Sequence, residues 1–203
     1  DGVRPWLPFT ISDNEIYDYA LNKVARPAQI PDSLRALYLE HALVRAALRL
    51  LLNASRASWN PGDLAAGERP LPQFARIIGA GGALTGTGRP GMAAMLLLDA
   101  LQPEGTTHLE LDPDALIPAL GAVARFNPQT AVQLLDRRGL DDLGVCISLS
   151  GQPKPGKPAA KVKLTLPNGE VERMTVSGGE LWVYPLGLGV RARVEVTALG
   201  RLN

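Results

Sequence analysis

Cysteine is nearly absent: Cys146 is the only one in 203 residues, so no internal disulfide can form. Histidine is almost as scarce, and His41 and His108 stand far from Cys146, which leaves no closely spaced Cys/His metal set. The cysteine falls in the apolar alternation Leu143 to Leu149 and reads as a small core residue in a reducing, cytoplasmic setting. Long hydrophobic runs are missing too. The most apolar stretch, Ala42 to Leu52, is broken by Arg45 and Arg49 and falls short of the ~18 residues that a membrane span requires. No signal peptide is evident, and the chain opens on Asp1, which reads as a fragment of something longer. Charge of one sign is also lacking. The 21 basic and 20 acidic residues read as fairly evenly spread, without the basic stripe that nucleic-acid binding calls for.

What is present is an ordinary globular composition, 46% hydrophobic and 20% charged, long enough for one full domain and a smaller one. Residues 14 to 57 are helical in pattern. Ser12 or Asp13 can cap a first helix with Ile16, Tyr17, Ala20, Leu21 and Val24 at 3-4 spacing. A second begins near Pro31-Asp-Ser-Leu34 and is apolar on more than one face, so it is expected to be buried on most sides. A proline- and glycine-rich loop, Ser58 to Gln73, separates this from an α/β zone.

In that zone Phe74 to Ile78 reads as a strand, Gly79 to Pro90 as a loop, Met92 to Leu101 as a helix and Thr107 to Leu111 as a strand. Asp112-Pro113 and Asn127-Pro128 each look like the opening of a helix, the second ending near Gly139. From Leu143 onward short strands take over: Val145 to Leu149, Ala160 to Leu166, Val171 to Val176, Leu181 to Tyr184 and Val190 to Val196. Pro167-Asn-Gly-Glu170 is a hairpin signal of the type I′ kind. The expected fold is therefore α/β with a helical amino-terminal part over residues 1–140, followed by a small antiparallel all-β domain over 141–203.

The glycine-rich loop carries the chemistry. Its glycines let the backbone approach a ligand, and a following helix start offers N–H groups to an anion. A bare strand-to-helix connection with no ligand is the competing reading. Gly86-Thr-Gly88-Arg-Pro-Gly91 matches G-x-G-x-x-G formally but begins too far beyond the strand, with Pro90 where an N–H is wanted, which disfavours a dehydrogenase. A Gly-Lys-Ser/Thr phosphate loop is absent.

Ile77-Ile78-Gly79-Ala80-Gly81-Gly82, followed by Thr85, Thr87 and Pro90, resembles the adenosine motif of the actin-like ATPases. Asn22-Lys23, Arg26-Pro27, Ile30-Pro31, Leu39 to Arg45, Leu97 to Pro103, Leu116 to Ala122 and Pro128 to Leu134 narrow the likeness. Together, over about residues 14 to 149, they resemble the glutamate mutase-associated MutL family, unrelated to the mismatch-repair protein of the same name. The resemblance implies a ribonuclease H-like, actin-like fold and a chaperone or reactivating role beside a cobalamin-dependent mutase, whose subunits would be partners. It implies Gly81 and Gly82 at the nucleotide, with Gly79 and Thr85 of the same motif beside them. Arg89, the basic residue next to the loop, reads from its position as a phosphate contact, with a plain surface role as the alternative. ATP or ADP with Mg²⁺ is expected in the full-length protein and none tightly bound here. The phosphate loop that such a fold needs is missing ahead of residue 75, so the chain reads as a carboxy-terminal half that does not hydrolyse ATP alone. The alternative is a non-enzymatic interaction module with a structural glycine loop. Neither reading assigns a catalytic residue or a metal site, nucleic acid and membrane are not expected partners, and homo-oligomerisation is left open.

Other side chains have plainer readings. His41 is expected to be packed or partner-bonded, and His108 to lie on the polar face of its strand. Asp112 and Asp114 straddle a helix start and read as caps rather than, with Glu110, a Mg²⁺ or Ca²⁺ cage. Asp141-Asp142 reads as a solvated turn, and Trp182 and Tyr184 as core or interface.

Overall fold

The computed structural model describes residues 2–59, 73–149, 151, 153–187 and 189–199. It divides into two compact units, Asp1–Ile147 and Ser148–Asn203. Most of the Ser58 to Gln73 loop lies outside the described residues.

Helix α1 (Asp13–Ala25) starts at Ser12 because a capping box closes there. The Ser12 hydroxyl accepts from the Glu15 N–H at 3.3 Å, and the Glu15 carboxylate accepts in return from the Ser12 N–H. Helix α2 (Leu34–Ser55) is capped by Ser33, which accepts from the Ala36 N–H. Expectation and structure part here. Only Leu39, His41 and Ala42 of α2 are buried, while Leu34 is 74% exposed and Leu50 and Leu51 stand open as well. The reason is length: a 22-residue helix runs about 33 Å, and its main partner α4 (Pro90–Leu101, 12 residues) only about 18 Å. On α1 the 3-4 stripe is real, yet Tyr17, Leu21 and Val24 face outward, Val24 with 79% of its surface exposed.

The first sheet runs β1-β2-β3, from β1 (Arg76–Ala80), β2 (Gly105–Asp112) and β3 (Asp141–Ser148). Strands β1 and β2 are parallel, with Arg76 opposite His108 and Gly79 opposite Leu111. A parallel pair needs a crossover, and the short α3 (Gly82–Thr85) together with α4 supplies it. Leu84, Ala93, Leu96, Leu97 and Leu111 form the core, with Val44, Leu48, Ile77, Leu101 and Leu143 packed against it. One sheet face is thus closed by α3, α4 and α2. Strand β1 is covered on that face alone, since Arg76, Ile78 and Ala80 alternate to the other side, exposed.

Helix α5 (Leu116–Ala124) begins four residues later than Asp112-Pro113 suggested. Asp112 is instead the last residue of β2, 1% exposed, and reaches forward so that its two oxygens accept from the N–H groups of Leu116 and Ile117 at 2.7 and 2.8 Å. The aspartate does satisfy a helix start, from a distance. Asn127 caps α6 (Pro128–Arg138) with Pro128 in the first turn.

Strand β3 corrects the placement of Val145 to Leu149: it joins the α/β sheet, so the structural division falls at 147/148 rather than 140/141. It also takes in Asp141 and Asp142, which are strand residues and not a turn.

The second unit is an antiparallel sheet of order β5-β4-β6, built from β4 (Pro158–Thr165), β5 (Val171–Ser177) and β6 (Arg193–Ala198). The 167–170 turn is not type I′. Pro167 locks a negative φ at the first central position, and only Gly169 is left-handed (φ 86°). Gly169 donates to the Leu166 carbonyl and Leu166 to the Glu170 carbonyl, a type I turn with a glycine bulge. Leu181 to Tyr184 pairs with no strand among the described residues. The Trp182 and Tyr184 rings do pack on each other, with centroids 5.6 Å apart, and the Tyr184 hydroxyl donates to Glu172.

Candidate functional site

Strand β1 delivers the chain to its carboxyl edge, where ligands of open α/β sheets usually sit. The five residues singled out in the loop separate into two groups. Gly79 faces the core: a Cβ there would stand 3.0 Å from Leu111, 3.1 Å from Leu84 and 3.2 Å from Leu97. Its lack of a side chain is spent on packing. Thr85 is also engaged internally, its hydroxyl donating to the Gly81 carbonyl at 3.2 Å.

Gly81, Gly82 and Arg89 form the outward-facing group. Gly81 caps α3 at φ 90°, ψ 150°, a conformation that excludes most side chains. Both Gly81 and Gly82 are exposed, and a Cβ on either would meet nothing within 4 Å. The N–H groups of Gly82 and Ala83 that follow have no partner within the helix, whereas that of Leu84 donates to the Gly81 carbonyl at 2.9 Å. Arg89 caps α4 through its backbone, held by Thr87, whose hydroxyl accepts from the Arg89 N–H and bonds its carbonyl. The Arg89 side chain is exposed and engaged by no other described residue. Gly86 lies beyond α3, with its hypothetical Cβ 2.5 Å from the Gly82 carbonyl oxygen, so the formal G-x-G-x-x-G glycine is a helix-end turn and not a strand-end one.

A second constellation escaped the sequence because its members lie on different elements. Glu40 of α2 accepts from the Tyr19 hydroxyl at 2.8 Å and pairs with Lys23 at 2.8 Å, and Lys23 also donates to the Gln29 carbonyl. Burial first, then the Glu40 bond, pushes the Tyr19 phenol well above its ordinary range. Beside this network a cavity of about 340 Å³ is lined by Asn22, Arg26, Gln29, Ile30 and Asp32 among others. In the sequence Asn22-Lys23 and Arg26-Pro27 stand out only as part of the family likeness.

On the open side of the first sheet, His108 Nε2 lies 2.9 Å from Asp142 and Arg76 Nε lies 3.2 Å from Glu110. The His108 bond holds the Asp142 carboxyl below its usual range. His41 is buried, and that burial, with Arg45 adding to it, lowers its pKa against the opposing pull of Glu40. Cys146 is half-buried and its thiol is pushed up by that burial, so it is no poised nucleophile. No group of three His, Cys, Asp or Glu side chains able to hold a metal occurs among the described residues. None of their helices is long and apolar enough to cross a membrane.

No curated protein and no solved structure matches the chain. A family model described as MutL protein matches residues 2–138, which takes in α1 through α6 and the glycine loop but stops short of β3 and the second unit. On that match the chain belongs to the glutamate mutase-associated MutL family.

Proposed function

We propose that this chain supplies the adenosine-side loop of an ATP-dependent chaperone or reactivating factor that associates with the cobalamin-dependent glutamate mutase. Membership in the MutL family supports the mutase association. The observation that carries the nucleotide part is the open Gly81-Gly82 turn at the carboxyl end of a parallel strand, with the unengaged Arg89 guanidinium at the next helix start. Backbone free of Cβ atoms lets an adenosine ribose and its phosphates come close, and Arg89 offers a planar fork to phosphate. These residues would offer the nucleotide its adenosine and phosphate contacts.

Calorimetric titration of the full-length protein with ATP or ADP and Mg²⁺ tests this reading. Gly82→Leu should weaken binding by about tenfold or more, equivalent to ~1.4 kcal/mol. Absence of binding, or binding indifferent to Gly82→Leu, would sink it. The engagement of Gly79 and Thr85 inside the fold favours a second reading, in which the loop is only a connection and the chain is an interaction module. Recovery of mutase subunits that is unaffected by nucleotide would favour that one.

A further inference from the structure

Whole-chain neutrality conceals an uneven distribution, contrary to the even spread inferred from composition. Residues 148–203 hold eight basic and four acidic side chains, while 1–147 hold thirteen and sixteen. Much of the excess lies on one face of the β5-β4-β6 sheet. The register puts Ala160, Val162 and Leu164 beside Val176, Met174 and Glu172 on one neighbour and Ala198, Val196 and Val194 on the other, a side that is apolar but for Glu172. The opposite side is Lys161, Lys163 and Thr165 in the centre, Val171, Arg173 and Thr175 on β5, and Arg193, Glu195 and Thr197 on β6. Four cations and one carboxylate therefore share nine positions.

Two features of this face work against the stability of the sheet alone. Lys163 stands directly opposite Arg173, and like charges in cross-strand register are destabilising. Glu195 answers on the β6 side only, 3.2 Å from Lys163 and 3.4 Å from Arg193. Lys161 and Arg173 have no partner among the described residues, and both are exposed. A local conflict of this kind is expected where a surface is kept for binding. Glu195 also demonstrates the ligand chemistry, a carboxylate seated between a lysine and an arginine of the same face.

We propose that this face docks a protein surface rich in Asp and Glu side chains, with Lys161, Lys163, Arg173 and Arg193 as its contacts. A nucleic acid fits less well. None of the nine positions carries an aromatic ring for base stacking, and Glu195 would oppose a close phosphate backbone. The threonine methyls and Val171 give the apolar ground between charges that protein interfaces use. The proposal stands independently of the nucleotide reading.

The test is fluorescence anisotropy of the intact protein with a labelled glutamate-rich peptide, its glutamine counterpart and a short DNA duplex. The glutamate peptide should bind, and binding should weaken markedly between about 50 and about 200 mM salt. The double variant Lys161→Thr/Lys163→Thr should bind about tenfold less tightly or worse. Threonine suits an exposed strand, and an unchanged melting temperature would show that the sheet remains folded. Lys154→Thr, in the turn outside this face, should change affinity by no more than about twofold. Tighter binding of the duplex, equal loss with Lys154→Thr, or no peptide binding at low salt would each overturn the proposal. Self-association in sedimentation at low salt that the double variant abolishes would also overturn it, by making a second copy the occupant.

Discussion

The two sheets of this chain differ in what they bury. The β1-β2-β3 sheet is closed by helices, and its core is leucine on leucine: Leu84, Leu96, Leu97 and Leu111. The β5-β4-β6 sheet has fewer large residues to bury, with Ala159, Ala160 and Leu164 as its described buried apolar side chains. Their free faces differ as well. That of the first sheet pairs its charges, Arg76 with Glu110 and His108 with Asp142, whereas on the second Lys161 and Arg173 find no partner among the described residues. A face that neutralises itself is finished as structure. One that does not is a place to look for a partner.

Substitutions can break this comparison. The largest effect should come from Leu96→Ala, at a fully buried position between helix and sheet, with a loss of about 3–4 kcal/mol in chemical denaturation. Leu164→Ala, at 2% exposure, should cost somewhat less, about 2–3 kcal/mol, if the smaller core relaxes around the void. An equal or greater loss there would show that the second sheet is the better packed. Asp112→Ala should cost about 2 kcal/mol, because two part-buried N–H groups of α5 lose their acceptors. Loss of hydrogen-exchange protection at Leu116 and Ile117 would locate the effect.

Within the glycine loop the contrast is finer. Gly79→Val drives methyls into three leucines and should cost about 2 kcal/mol, while Gly82→Val points into open space and should stay within about 0.5 kcal/mol in thermal unfolding. Equal costs would erase the division between packed and open glycines. The smallest effect is titration of His41. Its folded pKa is lowered by burial, so the stability it contributes is fully present above the ordinary value of about 6.5 and fades as pH falls through the depressed one. Unfolding midpoints between about pH 7 and 5 should show that decline, and His41→Gln should flatten it.

Local signals were the legible part of this fold. Ser12 and Asn127 announced their helices because a cap acts within three residues, and Gly81-Gly82 was visible because an open turn needs glycine. What depended on distant partners was not legible. The apolar residues of α2 suggested burial, but nothing in a helix tells how long its neighbour is. Val145 to Ile147 alternates like any strand, and only pairing decides which sheet it joins. The Tyr19–Glu40–Lys23 network and the cationic face likewise exist only once α1 meets α2, or β4 meets both its neighbours. In the candidate site, periodicity found the loop and the structure divided its residues.

The Pro167-Asn168-Gly169 bend has a kinetic consequence. It closes a very short loop, so the β4–β5 ribbon can zip within microseconds, before β6 arrives from almost thirty residues away along the chain to complete the sheet. Strand β1 must wait for a whole crossover before β2 can reach it, and such non-local pairing is slow. During refolding of the full chain the ribbon, with its Lys163–Arg173 pair already aligned, would be among the first ordered surfaces a binding partner could meet.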